Sequence, residues 1–114
     1  MKIFVYIQQE QGEINTMSLE ALQGAKEVAT QTNASVTAIT FNKVAADSLS
    51  QYDIAEILIL DDPKLEDYNP LLYLKAIEAV YQLESPDILF FGHTYETRDW
   101  VPRLSARLDI PFLS

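Results

Sequence analysis

Four short runs of apolar and β-branched residues recur along the chain, and segments of helical periodicity separate them. The apolar residues in each run are nearly continuous, whereas a strand with one solvated face alternates apolar and polar residues. Such continuous runs are typical of parallel strands that are covered on both faces. We therefore predict an α/β fold, a three-layer α/β/α sandwich with a mostly parallel, doubly wound sheet. The predicted strands are Lys2–Ile7, Ser35–Phe41, Glu56–Leu60 and Asp87–Gly92, and Pro111–Ser114 is expected to open a fifth.

The first two segments between strands carry apolar residues at three- and four-residue spacing, which indicates helices with one buried face. The first helix is expected to be capped by Thr16 or Ser18 and to end at Asn33, and the second to run from Val44 to about Tyr52. The predicted inward residues are Leu19, Leu22, Ala25 and Ala29 in the first helix, and Val44, Ala45, Leu49 and Tyr52 in the second.

A third helix is predicted where Asn69 precedes Pro70, because proline is favoured at the first helical position. This helix is expected to continue to about Glu84, where Ser85-Pro86 ends it. Its predicted inward residues are Leu71, Leu74, Ile77 and Val80.

The length of 114 residues predicts a single domain, residues 1–114. The strand-like residues Ile110–Leu113 stand at the end of the sequence, and native domains rarely stop inside a core strand. We therefore expect this domain to be a fragment of a longer chain.

The net charge of −9 argues against nucleic acid or an anionic membrane as a partner, because both repel acidic surfaces. The chain has no cysteine, which excludes disulfides and thiolate metal sites. Its apolar runs are far shorter than the roughly 20 residues that span a bilayer, and no signal-peptide pattern follows Met1. A cytoplasmic location is the simplest expectation.

The residues that phosphate binding and catalysis require are scarce. The three glycines, Gly12, Gly24 and Gly92, are too far apart for a phosphate-binding loop, and acidic residues occupy the loop after the first strand. His93 is the single histidine, so no multi-histidine metal site can form within the chain, and we expect an ordinary loop histidine. The pair Asp61-Asp62 before Pro63 is interpreted as a turn and not as a metal site. We expect no catalytic, cofactor-binding or metal-ligating residue in this chain.

All three arginines lie in the last 17 residues: Arg98 directly precedes a predicted helix from about Asp99 to Leu108, and Arg103 and Arg107 lie within it. Asp99 is expected to cap this helix and to pair with Arg103, and Pro102 then falls at the third position, where its missing N–H is harmless. Trp100, Leu104 and Leu108 recur at four-residue spacing on the inward face. Two interpretations stay open for Arg103 and Arg107: an anchor for a carboxylate or for carbonyl groups, or a salt-bridged surface helix.

The sequence around these arginines resembles that of the alpha subunit of electron transfer flavoproteins. The match consists of R-D-x-x-P-R-L-x-A-R-L-D at Arg98–Asp109, D-D-P-x-L-x-x-Y at Asp61–Tyr68, and the opening KIFVYIQQEQGEI. The resemblance therefore covers essentially the whole chain in order. One departure is Thr97, where the family often has glycine before Arg-Asp.

The resemblance implies an adenine nucleotide alpha hydrolase-like (Rossmann-like) fold and a heterodimer with a beta subunit. Such heterodimers carry electrons from dehydrogenases to a quinone-reductase-type acceptor. It implies that FAD is bound by a C-terminal domain absent from this sequence and that this N-terminal domain is a non-catalytic scaffold which binds no cofactor. Arg98, Asp99, Pro102, Arg103 and Arg107 carry over as structural or interface residues of the family motif.

Two other functions remain open from the sequence. One is a free-standing adenine-nucleotide-binding module of the universal-stress type, which shares the layered architecture. The other is a small hydrolase that uses His93 and Glu96.

Overall fold

A computed structural model describes residues 1–109 and contains a four-stranded parallel sheet. The strands are β1 Lys2–Tyr6, β2 Gln9–Glu10, β3 Glu13–Ile14, β4 Ser35–Thr40, β5 Glu56–Ile59 and β6 Ile88–Phe91. The sheet order is β5-β4-β1-β6, and in its register Val5 lies opposite Ala38 on one side and Phe90 on the other. The two-residue strands β2 and β3 form a separate hairpin after β1. The helices are α1 Thr16–Thr32, α2 Lys43–Leu49, α3 Pro70–Glu84 and α4 Tyr95–Leu108, with a 3-10 turn at Pro63–Leu65.

Two hydrophobic clusters cover the two faces of the sheet. Ile3 and Val5 of β1 point to the cluster that α1 and α2 cover, whereas Phe4 and Tyr6 point to the cluster that α3 and α4 cover. Successive side chains of a strand alternate between faces, so a strand covered on both sides needs apolar residues at every position. The predicted three-layer sandwich and its four strands are confirmed. The predicted fifth strand at Pro111–Ser114 lies outside the described residues.

The N-cap of the first helix lies one residue before Thr16, the nearer of the two predicted caps. Asn15 is the N-cap, and its side chain accepts a hydrogen bond from the Met17 N–H at 2.8 Å. The predicted caps Thr16 and Ser18 are wrong, because both lie inside the helix and Ser18 is buried. The end at Asn33 is confirmed, and this residue adopts the left-handed conformation with φ 55° that is common at helix C-termini.

The second helix is shorter than predicted. Asn42 caps it by accepting from the Ala45 N–H, and the helix ends at Leu49. Ala45 and Leu49 are buried as predicted, but Val44 is 61% exposed and Tyr52 is also exposed. Starting the helix at Lys43 places Val44 in the first turn, on the side that lies against the hairpin glycine Gly12.

The third helix begins at Pro70, with Asn69 as the N-cap, and ends at Glu84, as predicted. Leu74, Ile77 and Val80 are buried, whereas Leu71 is exposed, because Tyr73 takes the inward position in the first turn. The turn at Asp61-Asp62-Pro63 is confirmed: the Asp62 carboxylate accepts from the Lys64 N–H at 2.9 Å and so begins the 3-10 turn.

Candidate functional site

The strand order places a change of winding direction at the carboxyl ends of β1 and β6. From β1 the chain winds outward to β4 and β5, and α3 then returns it to β6 on the other side of β1. In open α/β sheets, ligands bind in the crevice that such a reversal creates. Here the crevice lies between Gln8, just beyond β1, and Gly92, just beyond β6. This is the place where the fold would hold a nucleotide or flavin phosphate.

The chain closes this crevice by a direct backbone approach. A Cβ atom built on Gly92 would lie 2.8 Å from the backbone carbon and oxygen of Met17 and from the backbone nitrogen of Ser18. Only glycine permits so close a contact, so the end of β6 lies against the first turn of α1. The N-terminal end of α1, the usual position for a phosphate, is therefore partly covered by the chain itself.

A network of side chains uses the polar groups that line the crevice. The Ser18 hydroxyl accepts from the Gln8 N–H at 2.9 Å, and the Thr94 hydroxyl donates to the Gln8 side-chain oxygen at 2.6 Å. The buried Thr97 hydroxyl donates to the Gly92 carbonyl at 2.6 Å and lies 3.0 Å from the Thr94 N–H. Because these groups are engaged with one another, the described residues at this edge do not fit a nucleotide or flavin phosphate.

Acidic and phenolic groups lie on the α4 side of the same edge. Burial, together with the negative charge of Glu10, raises the pKa of the Glu96 carboxyl above its ordinary value. The Tyr68 hydroxyl lies 3.1 Å from both the Asp99 carboxylate and the Glu96 carbonyl oxygen, and it can donate to either. This surface presents acceptors rather than donors, which also disfavours an anionic ligand.

Helix α4 begins four residues before the predicted start. Its N-cap is Thr94, and Thr94 and Thr97 form a reciprocal capping box, each side chain bonding the other's backbone N–H. The expectation that Asp99 caps the helix is wrong, and Pro102 consequently stands inside the helix, where its missing N–H leaves the Arg98 carbonyl without its usual partner. The Thr-x-x-Thr spacing was the signal for this cap, but the familiar box has Glu or Gln at the last position.

The inward face of α4 is as predicted. Trp100 and Leu104 are fully buried, and Leu108 is partly buried against the same cluster. Thr97, the departure from the family pattern, is the residue whose hydroxyl bonds the Gly92 carbonyl, so its side chain contributes to the closure of the crevice.

The charged residues of the motif separate into three environments. Arg107 makes a bidentate pair with Glu78 of α3, with N–O distances of 3.0 and 2.8 Å. The Arg98 guanidinium lies 5.2 Å from the centre of the Tyr95 ring, on the outer face of the helix. Arg103 is exposed and makes no ion pair within residues 1–109, so the expected pair with Asp99 does not form there. The structure therefore places Arg107 between two helices and leaves Arg98, Pro102 and Arg103 on the surface.

Within residues 1–109, no group of three His, Cys, Asp or Glu side chains is arranged to hold a metal ion, and His93 is exposed. None of the helices in that part of the chain is long and apolar enough to cross a membrane.

The sequence profile of the electron transfer flavoprotein domain matches residues 3–114. The chain is 32% identical over 109 residues to protein FixB of Clostridium saccharobutylicum, covering 94% of this chain and 33% of that protein. It is 29% identical over 114 residues to the electron transfer flavoprotein subunit alpha of Bacillus subtilis, covering 99% of this chain and 35% of that protein. For the corresponding subunit of Clostridium acetobutylicum the identity is 33% over 110 residues, with 93% and 32% covered.

The chain thus spans about a third of the length of these relatives and matches their N-terminal part. The profile match extends over nearly the whole sequence, and it includes the arginine motif of α4 and the Asp61–Tyr68 stretch. The resemblance to this family is therefore confirmed, and the chain belongs to the electron transfer flavoprotein domain family.

Proposed function

We propose that residues 1–114 form the N-terminal scaffold domain of the alpha subunit of an electron transfer flavoprotein, a longer chain whose C-terminal domain binds FAD. In this proposal the alpha subunit pairs with a beta subunit, and the heterodimer carries electrons without catalysing a substrate reaction itself. The names of the relatives and their roughly threefold greater length support it.

The observation that carries the proposal is the closed crevice between β1 and β6. The Gly92 contact with α1 and the bonds among Gln8, Ser18, Thr94 and Thr97 fill the place where this fold would hold a flavin or nucleotide phosphate. A domain built in this way is suited to shape and support rather than to cofactor binding. No observation favours the adenine-nucleotide-binding alternative.

We further propose that the exposed face of α4 contacts another domain or the beta subunit. Arg98, Pro102 and Arg103 lie on this face, and Arg103 has no ion-pair partner in the described part of the chain. Exposed guanidinium groups are suited to bidentate bonds with carboxylates across an interface. Asp99 and Arg107 belong to the structural part of the motif, because their partners Tyr68 and Glu78 lie within this domain.

The first test is flavin content. The chain of residues 1–114, purified after incubation with excess FAD, is expected to be colourless. The full-length subunit, purified with a beta subunit of the same organism, is expected to retain FAD. Stoichiometric FAD on residues 1–114 would overturn the proposal.

The second test concerns the interface. In the full-length subunit, Arg98→Glu with Arg103→Glu is expected to weaken co-purification with the beta subunit or retention of FAD. Lys43→Glu with Lys64→Glu, which reverses two exposed cations outside α4, is the matched control and is expected to change neither. Equal assembly of both variants would remove the interface role of the arginines.

A cytoplasmic location, dehydrogenase donors and a quinone-reductase-type acceptor are part of the same proposal. They are tested by fractionating cells that express the full-length subunit and by following flavin reduction when a purified dehydrogenase of the organism and its substrate are added to the heterodimer. A heterodimer whose flavin stays oxidised with every dehydrogenase of the organism would contradict the assigned donors.

A further inference from the structure

A continuous series of aromatic rings leads from the buried core under α4 to the surface beside it. The Trp100 and Tyr73 ring centres are 6.3 Å apart, and those of Tyr73 and Tyr68 are 5.2 Å apart, both with one ring edge facing the other. Trp100 is 0% exposed and Tyr68 is 37% exposed. The series therefore connects a fully buried indole with a phenol that reaches solvent.

We propose that Trp100, Tyr73 and Tyr68 form a path along which an electron vacancy on the buried indole moves to the surface, with Asp99 accepting the proton that Tyr68 releases. The function is protective: it removes an oxidising radical from the core and delivers it to a position where small reductants in solution can quench it. This activity is independent of the proposed place of the domain in a flavoprotein.

The indole at the start of the path has an unusual environment. Trp100 Nε1 is buried and makes no hydrogen bond within the described residues, whereas nearly all buried polar groups in proteins have a partner. An oxidised indole is a radical cation whose N–H becomes acidic, and here no group accepts that proton. A positive charge without a partner is also costly in an apolar core. Both effects favour transfer of the vacancy away from Trp100.

The phenol at the end of the path has the complementary environment. The Tyr68 hydroxyl lies 3.1 Å from Asp99 Oδ2, within the distance at which a side chain can accept a proton. A phenol that loses an electron becomes a strong acid, so a carboxylate at this distance lets electron and proton leave together. The product is a neutral tyrosyl radical beside a neutral carboxyl, which carries no uncompensated charge.

The intermediate ring lacks such an acceptor. The Tyr73 hydroxyl donates to the Leu65 backbone carbonyl at 3.2 Å, and a carbonyl oxygen is too weak a base to retain that proton. Tyr6, whose ring centre is 5.4 Å from that of Trp100, is a buried side branch with no carboxylate bonded to its phenol in residues 1–109. Neither ring retains the vacancy, so it passes through Tyr73 and is held at Tyr68.

The steps balance as follows. A one-electron oxidant, such as a hydroxyl or carbonate radical, takes one electron from Trp100 and leaves its radical cation. One electron then passes from Tyr68 through Tyr73 to Trp100, and the phenolic proton passes from Tyr68 to Asp99. A thiol or ascorbate in solution supplies one electron to the tyrosyl radical, and the proton returns from Asp99 to the phenolate.

The chain is well suited to a direct test, because Trp100 is its single tryptophan. Laser photoionisation at the red edge of the indole absorption ejects an electron from Trp100 alone, and transient absorption separates the indole radical from a tyrosyl radical. We expect the indole radical to decay as a tyrosyl radical forms. Spin trapping followed by peptide mass spectrometry is expected to locate that radical on Tyr68.

Two variants and one control test the last step of the path. Tyr68→Phe is expected to lengthen the indole-radical lifetime at least about tenfold and to abolish the spin adduct at position 68. Asp99→Asn keeps an oxygen acceptor but removes the base, and it is expected to slow tyrosyl formation by about 10²-fold, the lower end of what a positioned base contributes. Tyr95→Phe is the matched control, because Tyr95 is 87% exposed on the same helix and has no carboxylate bonded to its hydroxyl in the described chain.

Two outcomes would overturn the proposal. One is an indole radical in the unmodified chain that decays without forming a tyrosyl radical. The other is a tyrosyl yield that Tyr95→Phe lowers as much as Tyr68→Phe does, which would indicate unspecific transfer to any surface phenol. Circular dichroism of each variant verifies that the fold is unchanged, and Trp100 is retained in all three variants.

Discussion

The close approach of Gly92 to α1 provides a sharp test of how the crevice is closed. Replacing Gly92 with alanine places a methyl group 2.8 Å from three backbone atoms of Met17 and Ser18. A flexible side chain could rotate away, but these atoms belong to the first turn of α1. The contact can be relieved only if α1 and the end of β6 move apart, which also disturbs the bond between Ser18 and Gln8.

The size of the effect follows from the geometry, and a second glycine supplies the opposite sign. Added methyl groups in a well-packed interior cost about 1–3 kcal/mol, and a contact with backbone belongs at the upper end. Gly24 lies inside α1, where the nearest atom to an added Cβ is a Phe90 ring carbon at 3.9 Å, an ordinary contact. Gly24→Ala is therefore expected to stabilise the helix by about 0.5–1 kcal/mol.

Urea unfolding monitored by circular dichroism measures both effects. With a slope of about 2 kcal/mol per molar urea, Gly92→Ala is expected to lower the midpoint by roughly 1 M, and Gly24→Ala to raise it by a few tenths. The two variants together decide whether the added methyl group or its surroundings matters. If Gly92→Ala unfolds at the same urea concentration as the unmodified chain, the inferred backbone contact is incorrect.

Three further predictions concern the caps and the interhelical pair. Asn15→Ala is expected to cost about 1 kcal/mol as a lost N-cap, whereas Thr16→Ala is expected to stay within about 0.5 kcal/mol, and equal urea midpoints for the two would contradict the assigned cap. Thr97→Val is expected to cost about 1 kcal/mol, because the Gly92 carbonyl loses the Thr97 hydroxyl as a donor and keeps the Thr94 N–H at 3.1 Å; a midpoint equal to that of the unmodified chain would show that the lost bond contributes nothing. Hydrogen bonds from the Arg107 guanidinium lower the pKa of the Glu78 carboxyl. The stabilisation from this pair is therefore complete above the unfolded-state pKa of about 4.5, and it is lost as the pH falls through the lower pKa of the folded state. Arg107→Ala is therefore expected to lower the urea midpoint at pH 7 but not after Glu78 is protonated, and less at 1 M salt; a loss independent of pH would assign Arg107 a packing role only.

The sheet was predictable because its determinants are local and repeated. Each strand that is buried on both faces must be apolar along its whole length, so β1 was predicted as Lys2–Ile7 and observed as Lys2–Tyr6. The caps at Asn33 and Asn69 were recognisable for the same reason, since the residue types that satisfy the end of a helix are few.

Helix starts with several possible caps were predicted less well. Asp99 followed by Pro102 has the composition of a helix N-terminus, and so does Thr94 followed by Thr97. The helix begins at the second pair, because its position immediately after β6 allows Thr97 to bond the Gly92 carbonyl. This contact depends on where the strand ends. At α2 the same kind of competition was decided by Asn42, which shifted Val44 to the surface.

By itself, the sequence determined the layered α/β architecture, the inward faces of most helices and the family, because apolar periodicity and short motifs are written directly in the order of residues. Only the tertiary structure decided which arginine forms an ion pair. Arg107 and Glu78 are 29 residues apart, and their pairing depends on how α3 lies beside α4. The closure of the crevice and the path from Trp100 to Tyr68 likewise join residues from separate elements, whose distances arise only when both faces of the sheet are packed.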